Sequence, residues 1–228
     1  MRNTLPVLCA LGLLLGAGCR STPAPPARDG SLRLFNGQNL DGWLSYLSAH
    51  GLQTQDVWSV QDGILVCKGE PMGYLYTTQT FQNFKLIVEW RWPADKKPGN
   101  SGILMRINGA PQKLPRCIEC QLKSGSAGDL FGFHGMALEG PAERLHQIKG
   151  HALGGDFTAL PRLATAENPP GEWNRAEITV QGGAITVFIN GVKVNEAQGA
   201  EVVRGPIGFQ SEGGEIHFRT IRIIPLSN

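Results

Sequence analysis

The sequence predicts an all-β protein, an antiparallel two-sheet sandwich of jelly-roll type, on three observations. Short segments of alternating apolar and polar residues recur along the chain, the best being Phe84 to Trp92, where Phe84, Leu86, Val88, Trp90 and Trp92 take one face and Lys85, Ile87, Glu89 and Arg91 the other. Tight-turn pairs such as Asp62-Gly63, Gly182-Gly183, Asn190-Gly191 and Gly213-Gly214 separate such segments. Glycine reaches 30 of 228 residues, and no apolar period of helical type lasts beyond about three turns. About ten to twelve short strands in roughly 195 residues fit two packed sheets.

Residues 1–19 stand apart from that domain. Arg2 supplies a positive start, Leu5 to Leu15 an apolar run, and Gly16-Ala17-Gly18-Cys19 a small-residue cleavage site ending in cysteine. This is the pattern of a bacterial lipoprotein export signal, with Cys19 as the lipidated residue and a periplasmic or cell-surface protein anchored to a membrane as the expected product. The apolar run is too short to favour a spanning helix. Residues 20–30, rich in Pro and Ala, read as an unpacked tether. Residues 31–228 form the expected domain, whose 41% hydrophobic content supports a sizeable core. A formal net charge of +2 with no basic stripe excludes nucleic acid as a partner class.

Along the domain, Leu32 to Phe35 opens as a strand ended by Asn36-Gly37, and Trp43 in its apolar patch reads as a core anchor. Trp58 to Val60 and Ile64 to Cys67 form a hairpin around Asp62-Gly63, and Tyr74 begins another strand. Asn100 to Leu122 carries the clearest chemistry. It reads as two strands, Ile103 to Ile107 and Cys117 to Leu122, joined by a Pro-containing loop. Alternation sends Ile118, Cys120 and Leu122 to the core and Cys117, Glu119 and Gln121 to the opposite face. If Arg106 shares that face, a charge-assisted pair with Glu119 becomes available. Between Lys123 and Pro170 the pattern weakens, which marks a functional-loop candidate holding His134, His146 and His151. Their spacing fits no helical metal motif, and Cys117 and Cys120 lie on opposite faces of a strand, so neither a metal nor a cofactor is implied. Cys67 can pair with one of them after export or remain a buried thiol. Beyond Gly171 the regular meander returns, through Ala176 to Gln181, Ala184 to Ile189, Val192 to Val194, Ile207 to Glu212 and Glu215 to Ile224.

Several motifs in this order resemble the 3-keto-disaccharide hydrolase family: Leu34-Phe-Asn-Gly with Leu40-Asp-Gly-Trp, N-S-G-I-x-x-R at 100–106, E-x-Q at 119–121, G-E-W-N at 171–174, Asn190-Gly191, and Gly205 to Gly213 leading to Phe218-Arg-Thr-Ile-Arg-Ile. The resemblance runs from about Ser31 onward. It implies a concanavalin A-like jelly roll, export in bacteria, and action on an oxidised disaccharide or glycoside whose sugar carries a ketone at C3. Members commonly place Asp two residues after the E-x-Q; here Lys123 stands there.

A C3 ketone acidifies the C2 hydrogen, so a base can remove it, the group on C1 can leave, and water can add to the resulting enone. On this chain Glu119 is the expected base or acid, with His134 or Glu212 as the second proton carrier. Asn100, Arg106, Gln121, Gln210 and Trp173 are the expected substrate contacts. Two other readings compete. A retaining glycosidase needs two carboxylates about 5 Å apart, which laminarinase-like jelly rolls supply as E-x-D-x-x-E, whereas this strand reads E-C-Q-L-K-S unless Glu212 takes the second role. A non-catalytic carbohydrate-binding module would use exposed aromatic platforms, Trp173 and Tyr74 being the candidates. The identity of the glycan and the oligomeric state are not legible in the sequence.

Overall fold

Sixteen strands and one short helix make up the chain in a computed structural model that describes residues 30–227. In order they are β1 (Leu32–Arg33), β2 (Trp43–Leu47), α1 (Thr54–Val57), β3 (Trp58–Gln61), β4 (Ile64–Cys67), β5 (Gly73–Thr77), β6 (Phe84–Arg91), β7 (Gly102–Asn108) and β8 (Arg116–Gln121). There follow β9 (Leu130–Gly132), β10 (His146–His151), β11 (Gly155–Leu160), β12 (Asn174–Gln181), β13 (Ala184–Ile189), β14 (Val192–Ala197), β15 (Gly208–Ser211) and β16 (Ile216–Pro225). The expected signal segment, Cys19 and nearly all of the tether lie outside the described residues.

All pairings are antiparallel and fall into two eight-stranded sheets. The first runs β14-β13-β12-β6-β16-β4-β3, with β1 paired to β16; the second runs β10-β11-β9-β8-β7-β15-β5-β2. The fold is the antiparallel sandwich of concanavalin A-like jelly-roll class that the periodicity and the resemblance lead one to expect. Its core lies between the sheets. Phe84, Leu86, Val88 and Trp90 of β6, Ile178 and Val180 of β12, and Phe218 and Ile221 of β16 meet Ile103, Ile118, Cys120, Leu122 and Phe209 from the second sheet, all of them fully buried. Each such side chain contributes about 1.5–3 kcal/mol on leaving water, which is why the two-residue period dictates the register. The hairpin turns follow their chemistry: Asp62 and Gly63 both take positive φ, 50° and 77°, as do Asn190 and Gly191, 50° and 82°.

The region from Lys123 to Pro170 departs from the loop expectation, because it contains three strands. β9, β10 and β11 extend the second sheet to its edge. They are short or largely exposed, so no apolar face marks them in the sequence, and β10 buries none of its six residues. Cys67, Cys117 and Cys120 are buried free thiols.

The second sheet is apolar on both faces. On its outer side Tyr74, Leu104, Leu114, Cys117 and Phe133 form a second cluster, joined by Tyr46, Tyr76, Ile107, Phe131 and Phe157. The inner cluster holds the sandwich together, and the outer one floors the functional face.

Candidate active site

Strand β8 positions the central group. Ile118 and Cys120 are locked in the core, so Glu119 must point outward, between Leu104 on β7 and Phe131 on β9, its register partners. A solvated carboxylate is the usual occupant of such a position; here Glu119 is only 2% exposed. Its carboxyl lies over Gly102 of β7, so close that a Cβ there would collide with it. That absent side chain is the space the carboxyl occupies.

Two further strands complete the set. In β15 the residue Gln210 is buried, and just beyond the strand lies half-buried Glu212. Asn100, at the entry to β7, donates from Nδ2 to Glu212 Oε2 at 2.8 Å, and the Gln210 amide donates to the same carboxyl. Asn100 is itself fixed by its backbone N–H, which donates to Gly213 O at 2.8 Å. Three oxygens in this cluster are buried without a protein partner: Glu119 Oε1, Gln210 Oε1 and Asn100 Oδ1. Unpaired buried polar atoms are rare and costly, at about 1–3 kcal/mol each. Their convergence on one patch is the mark of a site made for a polar ligand.

Electrostatics separate the two carboxyls. Burial raises the Glu119 pKa well above the ordinary range, and the nearby charge of Glu212 raises it further. Burial also raises Glu212, but the Gln210 hydrogen bond and the charges of Lys123 and His151 oppose the rise. Glu119 therefore keeps its proton when Glu212 has lost its own. Such divergence is what would let one carboxyl of a pair act as an acid and the other as a base.

The structure brings Glu119, Glu212, Asn100 and Gln210 together, with Gln121 at the rim. Gln121 follows Glu119 on the same face, and its Oε1 accepts from the backbone of Leu122 and Lys123 at 3.0 and 2.9 Å. Three expected residues lie elsewhere. Arg106 does not pair with Glu119: it takes φ 55° where the β7–β8 register shifts, and its buried guanidinium donates instead to the carbonyls of Glu201 at 2.5 Å, Gly182 at 2.6 Å and Gln82 at 3.3 Å. It ties the strand ends of both sheets together, so its expected substrate contact is replaced by a structural role. His134 sits beside Arg116, three residues further along β8 than Glu119, or roughly 10 Å, and its Nε2 is held at 2.9 Å by Leu114 O. Of the two candidates for a second proton carrier, Glu212 is the one that lies near Glu119, and His134 does not. Trp173 lies just before β12, its ring against the guanidinium groups of Arg91 on β6 and Arg219 on β16 at 4.6 and 4.4 Å, on the first sheet rather than the second. Tyr74 is no exposed platform but is buried in the outer cluster.

Sequence reasoning gave Gly102 no role, and it noted Lys123 and His151 without linking either to Glu212. Gly102 stood within the N-S-G motif, where an interior strand glycine signals close approach; the other two are read only through the folded arrangement that brings their charge to Glu212. Among the described residues no cluster of three or more His, Cys, Asp or Glu has metal-ligand geometry.

A two-sheet jelly roll with a buried, proton-holding carboxyl, a second carboxyl and orienting amides is the architecture of a carbohydrate-active, glycosyl-hydrolase-like protein. Comparison with known proteins agrees. Residues 30–224 match the model of the 3-keto-alpha-glucoside-1,2-lyase-like domain, and the chain belongs to that family. It is 24% identical over 259 aligned positions to a 3-keto-disaccharide hydrolase of Bacteroides thetaiotaomicron, covering 92% of this chain and 83% of that one. A candidate glycosyl hydrolase of Parabacteroides distasonis superposes with a TM-score of 0.63 at 22% identity, over 87% of this chain and 95% of that one. A β-glucanase of Bacillus licheniformis shares the fold with a TM-score of 0.55 at 12% identity, over 86% and 99%.

Proposed function

We propose that the protein cleaves 3-keto-glycosides by elimination followed by hydration, with Glu212 and Glu119 moving the protons. The observation that carries this reading is the Glu119 carboxyl, buried over Gly102 without an ion partner and beside the Glu212, Asn100 and Gln210 set. Glu212, ionised, takes the hydrogen from C2 of the sugar. The electron pair of that C–H bond forms the C1–C2 double bond, the C1–O bond breaks, and Glu119 gives its proton to the departing oxygen. Negative charge that builds on the C3 oxygen meets amide N–H groups; Gln121 is placed at the rim to donate one. Water then adds across C1–C2, its hydroxyl to C1 and a proton to C2, with each carboxyl recovering its starting state. The net reaction is hydrolysis. The name of the Bacteroides relative and the family description support the same substrate class.

The pairing of Glu119 with Glu212 also favours a second reading, direct hydrolysis of an unoxidised glycoside, since two carboxyls on one patch are what that chemistry requires. One experiment separates the two. The purified domain is incubated with a 3-keto-disaccharide and with its unoxidised parent, and released sugar is measured from each. Release from the oxidised substrate alone is the expected result, and release from the parent alone contradicts it.

We further propose that residues 1–30 export and tether this domain, with lipid on Cys19. Palmitate labelling in a bacterial host should mark the wild-type chain and not Cys19→Ala; equal labelling of both, or of neither, removes the anchor.

A further inference from the structure

On the outer face of the second sheet that also carries the carboxyl cluster, toward the loop joining β7 and β8, lies a cavity of about 170 Å³. Its walls include the side chains of Tyr74, Tyr76, Ile107, Pro111 and Pro206. Its polar side chains are largely spoken for. Asn108, which also borders it, donates from Nδ2 to Arg106 O at 2.8 Å and accepts at Oδ1 from Arg116 Nη1 at 2.8 Å. The Tyr74 hydroxyl bonds to the backbone at Gln112. What remains, apart from the Tyr76 hydroxyl and some backbone, is aromatic and aliphatic surface.

The register connects this cavity to the chemistry. Tyr74 is the cross-strand partner of Gln210, and Tyr76 is the partner of Gly208, which in turn faces Leu104, the partner of Glu119. Gly208 raises no side chain between them, and a Cβ there would crowd Ile107. With the Glu119 carboxyl over Gly102 of β7, Tyr76 on β5 stands two strand spacings across and two residues along, roughly 12 Å. A glycosidic oxygen hydrogen-bonded to Glu119, one ring beyond it and the stacking distance to Tyr76 would together cover most of that span.

We propose that this cavity receives the aglycone of the substrate, and that the aglycone is a planar aromatic group rather than a second sugar. The inference rests on the 3-keto-glycoside reading and extends it. A sugar ring placed here would surrender water from several hydroxyls to walls with few free side-chain partners. An aromatic ring would lose no such bonds and would stack against Tyr76, half-buried and tilted 47° to Tyr74 with ring centres 5.5 Å apart. It would leave as a phenol, its oxygen taking the Glu119 proton as the C1–O bond breaks.

The test compares a phenyl 3-keto-glucoside with a 3-keto-disaccharide on the wild type, Tyr76→Ala and Tyr76→Phe. Comparing variants on one substrate cancels the difference in leaving-group chemistry. Tyr76→Ala should raise KM for the phenyl substrate about tenfold and that for the disaccharide by less than about twofold, while Tyr76→Phe stays near wild type. An equal change for both substrates overturns the proposal. Phenol titration followed by the tyrosine ring resonances adds an arm that needs no turnover. Saturable shifts in the wild type that vanish in Tyr76→Ala support the aromatic pocket, even where neither oxidised substrate is cleaved and the reaction itself is wrong. No phenol binding to a folded wild type refutes it.

Discussion

The two outer faces of the sandwich carry the same kinds of residue and use them in opposite ways. On the first sheet Lys85 meets Glu177 at 2.5 Å, Arg175 meets Glu177 at 3.0 Å, and Glu89 accepts from Arg219 at 3.0 Å and Thr220 at 2.6 Å. The bonds from Lys85 and then Arg175 hold Glu177 below the ordinary carboxylate range. Burial acts to raise Glu89, but Thr220 and Arg219 more than offset it. On the second sheet Glu119 has no counter-charge, is buried, and is pushed the other way. Polar residues on a β-face are therefore no guide to a site until their partners are counted. On these two faces the paired carboxylates belong to the scaffold, and the unpaired one marks the candidate site.

Substitutions can sharpen that contrast. The largest loss of stability is expected at Arg106, the buried cation whose partners are all backbone. Arg106→Met should cost about 3 kcal/mol or more in chemical denaturation, since it strands several buried carbonyls. Among changes to activity, Glu119→Gln should lower turnover of a 3-keto-glycoside by about 10² or more while leaving the fold intact. Its stability has a defined pH dependence. A carboxyl whose pKa is raised on folding binds more protons in the native state, so its favourable contribution is full below the unfolded value and declines as pH rises from there through the folded value. Denaturation at pH 4 and pH 8 should thus show wild type losing stability relative to Glu119→Gln as pH increases; a constant difference would contradict the raised pKa.

Gly102→Ala probes the same contact from the opposite strand. The added Cβ must displace the Glu119 carboxyl, and a cost of about 1–3 kcal/mol with a matching loss of activity is expected. Lys123→Glu is milder. Removing a cation that lowers Glu212 should move the acidic limb of the pH–rate profile, which reports this base, upward, with kcat at the optimum little altered. The smallest effect belongs to the first sheet, where Lys85→Met breaks a half-exposed ion pair and should change stability by less than about 1 kcal/mol, without touching activity.

What was legible in the sequence follows the same division. Period-two alternation placed Val88, Trp90, Ile118, Leu122, Ile178, Val187 and Phe218 in the core, and all are fully buried. The same rule put Glu119 and Gln121 outward from β8. It failed where local backbone broke the period: the register shift between Met105 and Asn108, with its positive φ at Arg106, turned that side chain away from the face simple alternation assigns it. β9 to β11 stayed hidden because an exposed strand at a sheet edge needs no apolar face. Asn100, Gln210 and Glu212 were visible as motif residues, but their meeting with Glu119 depends on β15 pairing beside β7, a contact across more than a hundred residues that no local pattern encodes.

The ionisation state of Glu119 tests the division between paired and unpaired faces most directly. Infrared difference spectra of wild type against Glu119→Gln, recorded from pH 4 to pH 8, isolate the carbonyl stretch of this one carboxyl. A protonated band that persists well above the ordinary glutamate pKa is the predicted result, whereas a band already lost by about pH 5 would show an ordinary solvated carboxylate and contradict the assignment.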